Sequence, residues 1–502
     1  VEDACRVSGA FGTVIGYAED GVRIWKGIPY AHALDEEHRF SPPVRAEPFR
    51  EPFEAFSFGD KAPQRRLLRT QFSADCLSLN VWAPKKSEKQ YPVLFFIHGG
   101  SFIHGSGSDL WYDGRYLARH AGMIVVTMNY RLGILGFSDF SQLDTTFSSN
   151  LGLRDVLSAL EWVHEHIQHF GGDPARITVA GQSAGGTMVS ALYGCSQAQQ
   201  YAARFIMLSG GPTQLQGADE CRQLSQQFLR FSEISSPEDL KTIPFSQLIS
   251  FQKEFIRASG LGSATFRLAV DGKLVTDYPI PAAASGKGAG VPLLVGTTQE
   301  ELSFMQFKPL EKSINVEKII SYGLSLETEQ TREELSGLYT RIFGSDHDRM
   351  MLYTDLLFRM GSIWFAQAAS EYADVWMYRF DFETTILKAN GLQAFHATDL
   401  PYLFGNIDNL LIKPMFILKR DLEHVQTIRD NIQEDIKGFA AEGKLPWKKV
   451  TQPSAPARCY DIPTRLVSSV PEQILAAYTR TRYYERSFSS QTNPAPSPNI
   501  SI

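Results

Sequence analysis

The stretch "RITVAGQSAGGTMVSALYG", Arg176 to Gly194, passes from β-branched apolar residues through a glycine-flanked serine into a segment with helical signals. Gly181 and Gly185 stand at −2 and +2 from Ser183. A strand that turns at once into a helix needs this arrangement, because its central residue takes a strained backbone conformation and bulky neighbours would collide. The serine oxygen then projects from the carboxyl edge of a sheet. A glycine-rich turn without chemistry is the alternative reading. However, this is the chain's one GxSxG, and both flanks are what such an elbow requires.

A serine hydroxyl is a weak nucleophile and needs a base, and the oxyanion it creates needs donors. "FFIHGGSFIHGS", Phe95 to Ser106, places His98, Gly99, Gly100 and Ser101 just beyond an apolar run, where bare backbone N–H groups can face a substrate oxygen.

Seven short, nearly continuous apolar runs recur: 92–98, 123–130, 176–183, 204–210, 291–297, 375–382 and 457–462. Such runs suit strands covered on both faces. Helix-period segments separate them, among them Leu151 to Phe170, closed by "GGDP". Together they predict an α/β fold with a mainly parallel central sheet and helices on both faces. "GAFGTVIGYAEDGVRIWKGIPYA" reads as an N-terminal antiparallel meander. Stretches 217–258, 299–360 and 407–443 read as helical insertions over one edge of the sheet. Residues 1–487 are expected to form one domain, followed by a polar, disordered tail at 488–502.

The 502 residues are 43% hydrophobic and 21% charged with a net charge of −6, enough for a large core and without the basic excess that nucleic acid demands. No apolar stretch approaches the ~18 residues of a membrane span. Five scattered cysteines make no metal pattern. With no signal-like segment at the start, they favour a cytoplasmic protein, a secreted form with its leader removed being the alternative.

The motifs "HGGSF", "NYRLGILGF", "NLGLRDVLSALEWV", "FGGDPARITVAGQSAGG", "VPLLVGTTQEE" and "FHATDLPYLFG" occur in the order and spacing of the type B carboxylesterases. The chain resembles that family, the α/β-hydrolase branch that includes the cholinesterases, from about Gly12 to Asp461. The resemblance implies an α/β-hydrolase fold with its insertions over the active site. It also implies a serine carboxylesterase that cleaves esters to acid and alcohol through an acyl-serine intermediate, with no metal and no organic cofactor. Its partner would be a small-molecule ester, with no nucleic acid and no membrane. Competing readings are a non-catalytic cholinesterase-like binding or adhesion module, and an amidase or carbamate hydrolase with the same triad.

In this fold the chain order is serine, acid, histidine. His347 lies in the acidic turn "GSDHDRM" and His424 in a helical segment, both expected to face solvent. His396 follows a strand at the carboxyl edge and sits in the family's histidine motif, so it is the expected base. By resemblance the acid is Glu301, with Glu300 its solvated neighbour, although Leu302 stands where the family has glycine. The implied oxyanion donors are the amides of Gly100, Ser101 and Ala184, Ser101 replacing a third glycine. The resemblance also implies a buried Arg131–Asp155 ion pair.

Further departures concern Arg39, whose family partner is replaced by Ala74, and Cys76, whose disulfide position is occupied by Ala62. The loop with Arg65, Arg66 and Arg69 has no tryptophan to hold a quaternary cation, which argues against a cholinesterase. His164, His166 and His169 are not all on one helix face and read as a solvated helix end.

Overall fold

A computed structural model describes residues 5–65, 71–306, 324–345, 347–409 and 417–490. Its centre is an eleven-stranded sheet. In chain order the strands are β1 (Tyr17–Glu19), β2 (Val22–Pro29), β3 (Ser78–Ala83), β4 (Tyr91–Ile97), β5 (Ile124–Met128), β6 (Gly172–Gln182), β7 (Arg204–Leu208), β8 (Leu293–Thr298), β9 (Val375–Phe380), β10 (Pro456–Tyr460) and β11 (Arg465–Ser468). Across the sheet they run β11-β10-β9-β8-β7-β6-β4-β5-β3-β2-β1. The seven strands from β10 to β5 are parallel, and the strands at both margins are antiparallel.

Alternation along these strands builds two cores. Val93, Phe95 and Ile97 point into one core with Ile177, Val179, Phe205 and Met207. Leu94 and Phe96 point into the other with Ile206, Leu208, Leu294 and Trp376. Helices α1 (Leu151–His166), α2 (Ala184–Tyr193) and α3 (Met360–Ser370) cover the first face. Helix α4 (Leu422–Glu442) covers the second through Val425, Ile428, Ile432, Ile436 and Phe439. Within the expected insertion 407–443, of which 410–416 lie outside the described residues, the helix Leu422–Glu442 is therefore not an insertion over the sheet edge: its apolar stripe makes it a layer of the fold. The stretch 217–258 does fold into insertion helices, including Ala218–Ser232 and Phe245–Ser259.

The expected ion pair forms. Arg131 and Asp155 are fully buried; Nε and Nη2 of the guanidinium donate to the two carboxylate oxygens at 2.8 and 2.6 Å, and Nη1 donates to the carbonyls of His38, Arg39 and Ser41. The histidine cluster on α1 departs from expectation. His166 is buried, its ring 5.0 Å from Phe11 and 4.9 Å from Trp162, because the N-terminal meander folds over that end of the helix. In the expected tail, Phe488 packs on Tyr484 and Ser490 donates to Asp277 at 2.9 Å, while 491–502 lie outside the described residues.

Asp155→Ala leaves the Arg131 guanidinium buried without its carboxylate and is expected to cost about 3–5 kcal/mol, read as a lowered urea midpoint and Tm.

Candidate functional site

All parallel strands deliver their carboxyl ends to one edge, where open α/β sheets place their ligands. β6 ends at Gln182 and α2 begins at Ala184, so Ser183 alone makes the turn, with φ 59° and ψ −121°. Its amide donates to Leu208 O at 2.9 Å and its carbonyl accepts the first helical bond from Thr187 N at 2.8 Å. The glycines are required by contact. A Cβ on Gly181 would stand 2.5 Å from Gly185 O, and one on Gly185 would stand 2.2 Å from Ile97 O.

The loop after β4 lies alongside. Gly100 has φ 117°, and a Cβ there would fall 2.0 Å from His104 O. Ser101 and Phe102 follow with φ 53° and 62°, an unusual run for residues with side chains. His98 braces this loop. Burial pushes its pKa down to about 4, so it is neutral; Nδ1 donates to Gly99 O at 2.7 Å and the ring stacks on Tyr130 at 4.3 Å. Among the described residues, the amides of Gly100, Ser101 and Ala184 donate to no protein acceptor.

Glu301 follows β8, and His396 stands in the loop after β9. The two segments are zipped together: Glu300 N donates to Ala394 O at 3.1 Å, His396 N to Glu301 O at 3.0 Å, and Ser303 Oγ to Leu392 O. His396 Nδ1 then reaches Glu301 Oε2 at 2.7 Å, while Thr298 N and Ser209 Oγ donate to Oε1 at 2.9 and 2.8 Å. Glu301 is fully buried, which opposes ionisation. The bonds from His396, Thr298 and Ser209 outweigh burial and hold its carboxyl below the usual range.

Of the acidic pair it is Glu301 that meets His396, and Leu302 is buried apolar packing. Glu300, by contrast, is not solvated. It is 5% exposed, its carboxyl lies 3.4 Å from the half-exposed His347, and burial raises its pKa. The helices of the 329–354 insertion bring His347 to it, a contact that no local pattern announces. His424 is exposed as expected.

Ser183 Oγ and His396 are not joined by a hydrogen bond among the described residues. The partner of His396 Nε2 is the side-chain amide of Gln182, at 3.0 Å. Gln182 was in view in "GQSAGG" but carried no sequence signal of its own beyond adjacency to the serine. Ser209, just past the end of β7, and Asp399, three residues past His396, were also missed. Tyr378 OH donates to Asp399 Oδ2 at 2.6 Å, and burial raises the Asp399 pKa to about 6. A cavity of about 310 Å³ opens beside Gly99, Gly100, Gln182 and His396, walled by Trp111, Tyr112, Leu400, Tyr402 and Ile407.

The profile of the carboxylesterase family matches residues 4–450. The chain belongs to that family. Among curated relatives, a para-nitrobenzyl esterase of Bacillus subtilis is 37% identical over 416 residues, covering 80% of this chain and 83% of that protein. A fumonisin B1 esterase of Sphingopyxis macrogoltabida is 30% identical over 78% of this chain and 73% of its own. A solved PNB esterase superposes with a TM-score of 0.86 at 32% identity, over 94% of this chain and 99% of that one. A carboxylesterase of Geobacillus stearothermophilus gives 0.84 at 30% identity, over 94% and 100%. The fold is that of the α/β-hydrolase carboxylesterases, and the enzyme is a serine hydrolase of carboxylic esters.

Its departures from the family pattern are accommodated locally. Arg39 finds other acceptors, donating to Ile243 O at 2.5 Å and Leu240 O at 3.2 Å with its guanidinium 4.1 Å from the Phe245 ring. Cys76 is a free, buried thiol. In the arginine loop, Arg66 and Arg69 lie outside the described residues. Among the described residues no group of three or more His, Cys, Asp or Glu could hold a metal, and no helix is long and apolar enough to cross a membrane.

Because the folded-state pKa of Glu301 lies below its unfolded value, its ionisation stabilises the carboxylesterase above the ordinary glutamate range, near about 4.3. That contribution is lost as pH falls through the folded pKa. Glu301→Gln is expected to lower Tm at pH 7, with the gap to the parent closing below about pH 4; thermal melts across pH 3–8 check this.

Proposed function

We propose that Ser183 Oγ is the nucleophile that attacks the ester carbonyl, with His396 Nε2 taking its proton. The tetrahedral oxyanion forms against the amides of Gly100, Ser101 and Ala184. His396 then gives the proton to the departing alcohol, and water, activated the same way, releases the acid from the acyl-serine. Glu301 holds His396 in the Nδ1–H tautomer and stabilises the imidazolium. The observation that carries this reading is the 2.7 Å bond between His396 Nδ1 and a Glu301 carboxylate that also accepts from Thr298 N and Ser209 Oγ. In unliganded hydrolases the contact between base and nucleophile is often loose and tightens when substrate binds.

The cavity beside His396 is where one apolar, uncharged portion of the ester lies. Its walls are Trp111, Tyr112, Leu400, Tyr402 and Ile407, and it adjoins Gly100, one of the residues whose amides receive the carbonyl. Residues 1–487 act as one catalytic domain in this reading. A cytoplasmic location fits the five cysteines, all of which are free thiols.

Hydrolysis of a short-chain p-nitrophenyl ester tests the assignment. Ser183→Ala is expected to lower kcat by at least ~10⁴-fold, and an organophosphonate should leave its adduct on the Ser183 peptide by mass spectrometry. Full turnover by the alanine variant would remove Ser183 from the chemistry. Gly100→Ala forces a Cβ onto His104 O, displacing the loop amides, and kcat is expected to fall about 100–1,000-fold while the far-UV spectrum is kept.

A further inference from the structure

In the resting geometry, the lone pair that a general base needs is already engaged. An ionised carboxylate only accepts, so the 2.7 Å contact with Glu301 fixes the imidazole proton on Nδ1. Nε2 is left as an acceptor, and the group that meets it at 3.0 Å is the Gln182 amide nitrogen, a donor. A protonated imidazole would set N–H against N–H there.

We propose that Gln182 is a positioning residue for hydrolysis: its amide donates to His396 Nε2 and parks the imidazole beside Ser183 until the ester displaces that contact. The proposal rests on the triad reading above.

The placement leaves the amide little freedom. Gln182 is 3% exposed, and a Cβ on Gly99 would come within 2.6 Å of its Oε1 and 3.0 Å of Ser183 Cβ. The side chain is thus wedged between the imidazole and the first glycine of the loop that receives the carbonyl, and it lines the substrate cavity. An ester entering against that loop meets the amide first. On displacement, Nε2 exchanges the Gln182 N–H for the Ser183 O–H. Attack then forms the oxygen–carbon bond as the hydroxyl proton passes to Nε2, and the same proton leaves with the alcohol when the ester C–O bond breaks.

Several groups face His396. Glu301 bonds to it, Asp399, held by Tyr378 OH at 2.6 Å, interacts with it electrostatically, and the Phe358 ring packs 4.9 Å from the imidazole. Tyr112, Asp109 and His104 line the same cavity. Burial brings Asp399 to about 6, inside the window where a histidine base loses activity, so the test is run in parent and Asp399→Asn backgrounds.

The experiment measures kcat and KM for p-nitrophenyl acetate with the full-length enzyme between pH 4.5 and 9. Gln182→Glu sets a carboxylate against Nε2 and favours the imidazolium. The acid limb of kcat/KM is expected to rise by about one pH unit or more in both backgrounds, whatever the accompanying change in KM. Gln182→Met keeps the volume without a donor and is expected to raise the limb by about half a unit. It decides the matter alone if the glutamate variant does not fold. A limb that stays at the parent's position overturns the proposal, as does a change confined to KM, which would make Gln182 only a cavity wall. Ser183→Ala is assayed alongside. If it is inactive while the Gln182 limbs stay put, the triad reading stands and the positioning role falls; if it is fully active, the triad reading itself falls.

Discussion

A backbone contact that leaves no room for a side chain fixes the geometry of this enzyme. Gly185 presses against the carbonyls of Ile97 and His98, and Gly181 against Gly185 itself. The elbow at Ser183 is therefore locked to the end of the neighbouring strand β4. Strands in a sheet lie about 4.8 Å apart, so Ser183 and the loop of bare amides inherit their separation from sheet geometry. Strain at Ser183, and at Ser101 and Phe102 opposite, is stored where the surrounding sheet over-determines the backbone.

Glu301 and His396 are placed differently. Neither sits on a regular element; each follows a strand in a loop, and the two loops are tied by main-chain bonds before their side chains meet. The Glu301–His396 pair can then stay tight inside a fully buried site. Buried charge is tolerated because every oxygen of the carboxylate has a donor.

Much of this was legible in the order of residues, for reasons that differ from element to element. Doubly covered strands such as 92–98 and 204–210 announce themselves by continuous apolarity, and Ser183 by the steric demands of its turn. Glu301 could be told from Glu300 only through family resemblance, since the two are chemically alike and both are buried. Burial of Glu300 and His166 depends on segments far away in sequence folding over them, which residue periodicity does not encode. Strand β3, within "DCLSLNVW", was passed over because its polar Ser78 and Asn80 interrupt the apolar run, although all six of its residues are buried. The part assigned to Gln182 was hidden too: it follows from where an imidazole more than two hundred residues away happens to arrive.

That sequence distance between the two halves of the site has a bearing on how the protein is made. The nucleophile elbow and its amide loop leave the ribosome early, whereas His396 trails by more than two hundred codons, an interval on the order of 10–40 s at ordinary rates of synthesis. Helix α4 and strand β10, which back the histidine loop, come later still. A nascent chain thus carries Ser183 without His396 while more than two hundred residues are added, and on the proposed triad a product stalled before residue 396 lacks its base. On the proposed triad, the long separation postpones acyl transfer until the second half of the sheet has been made.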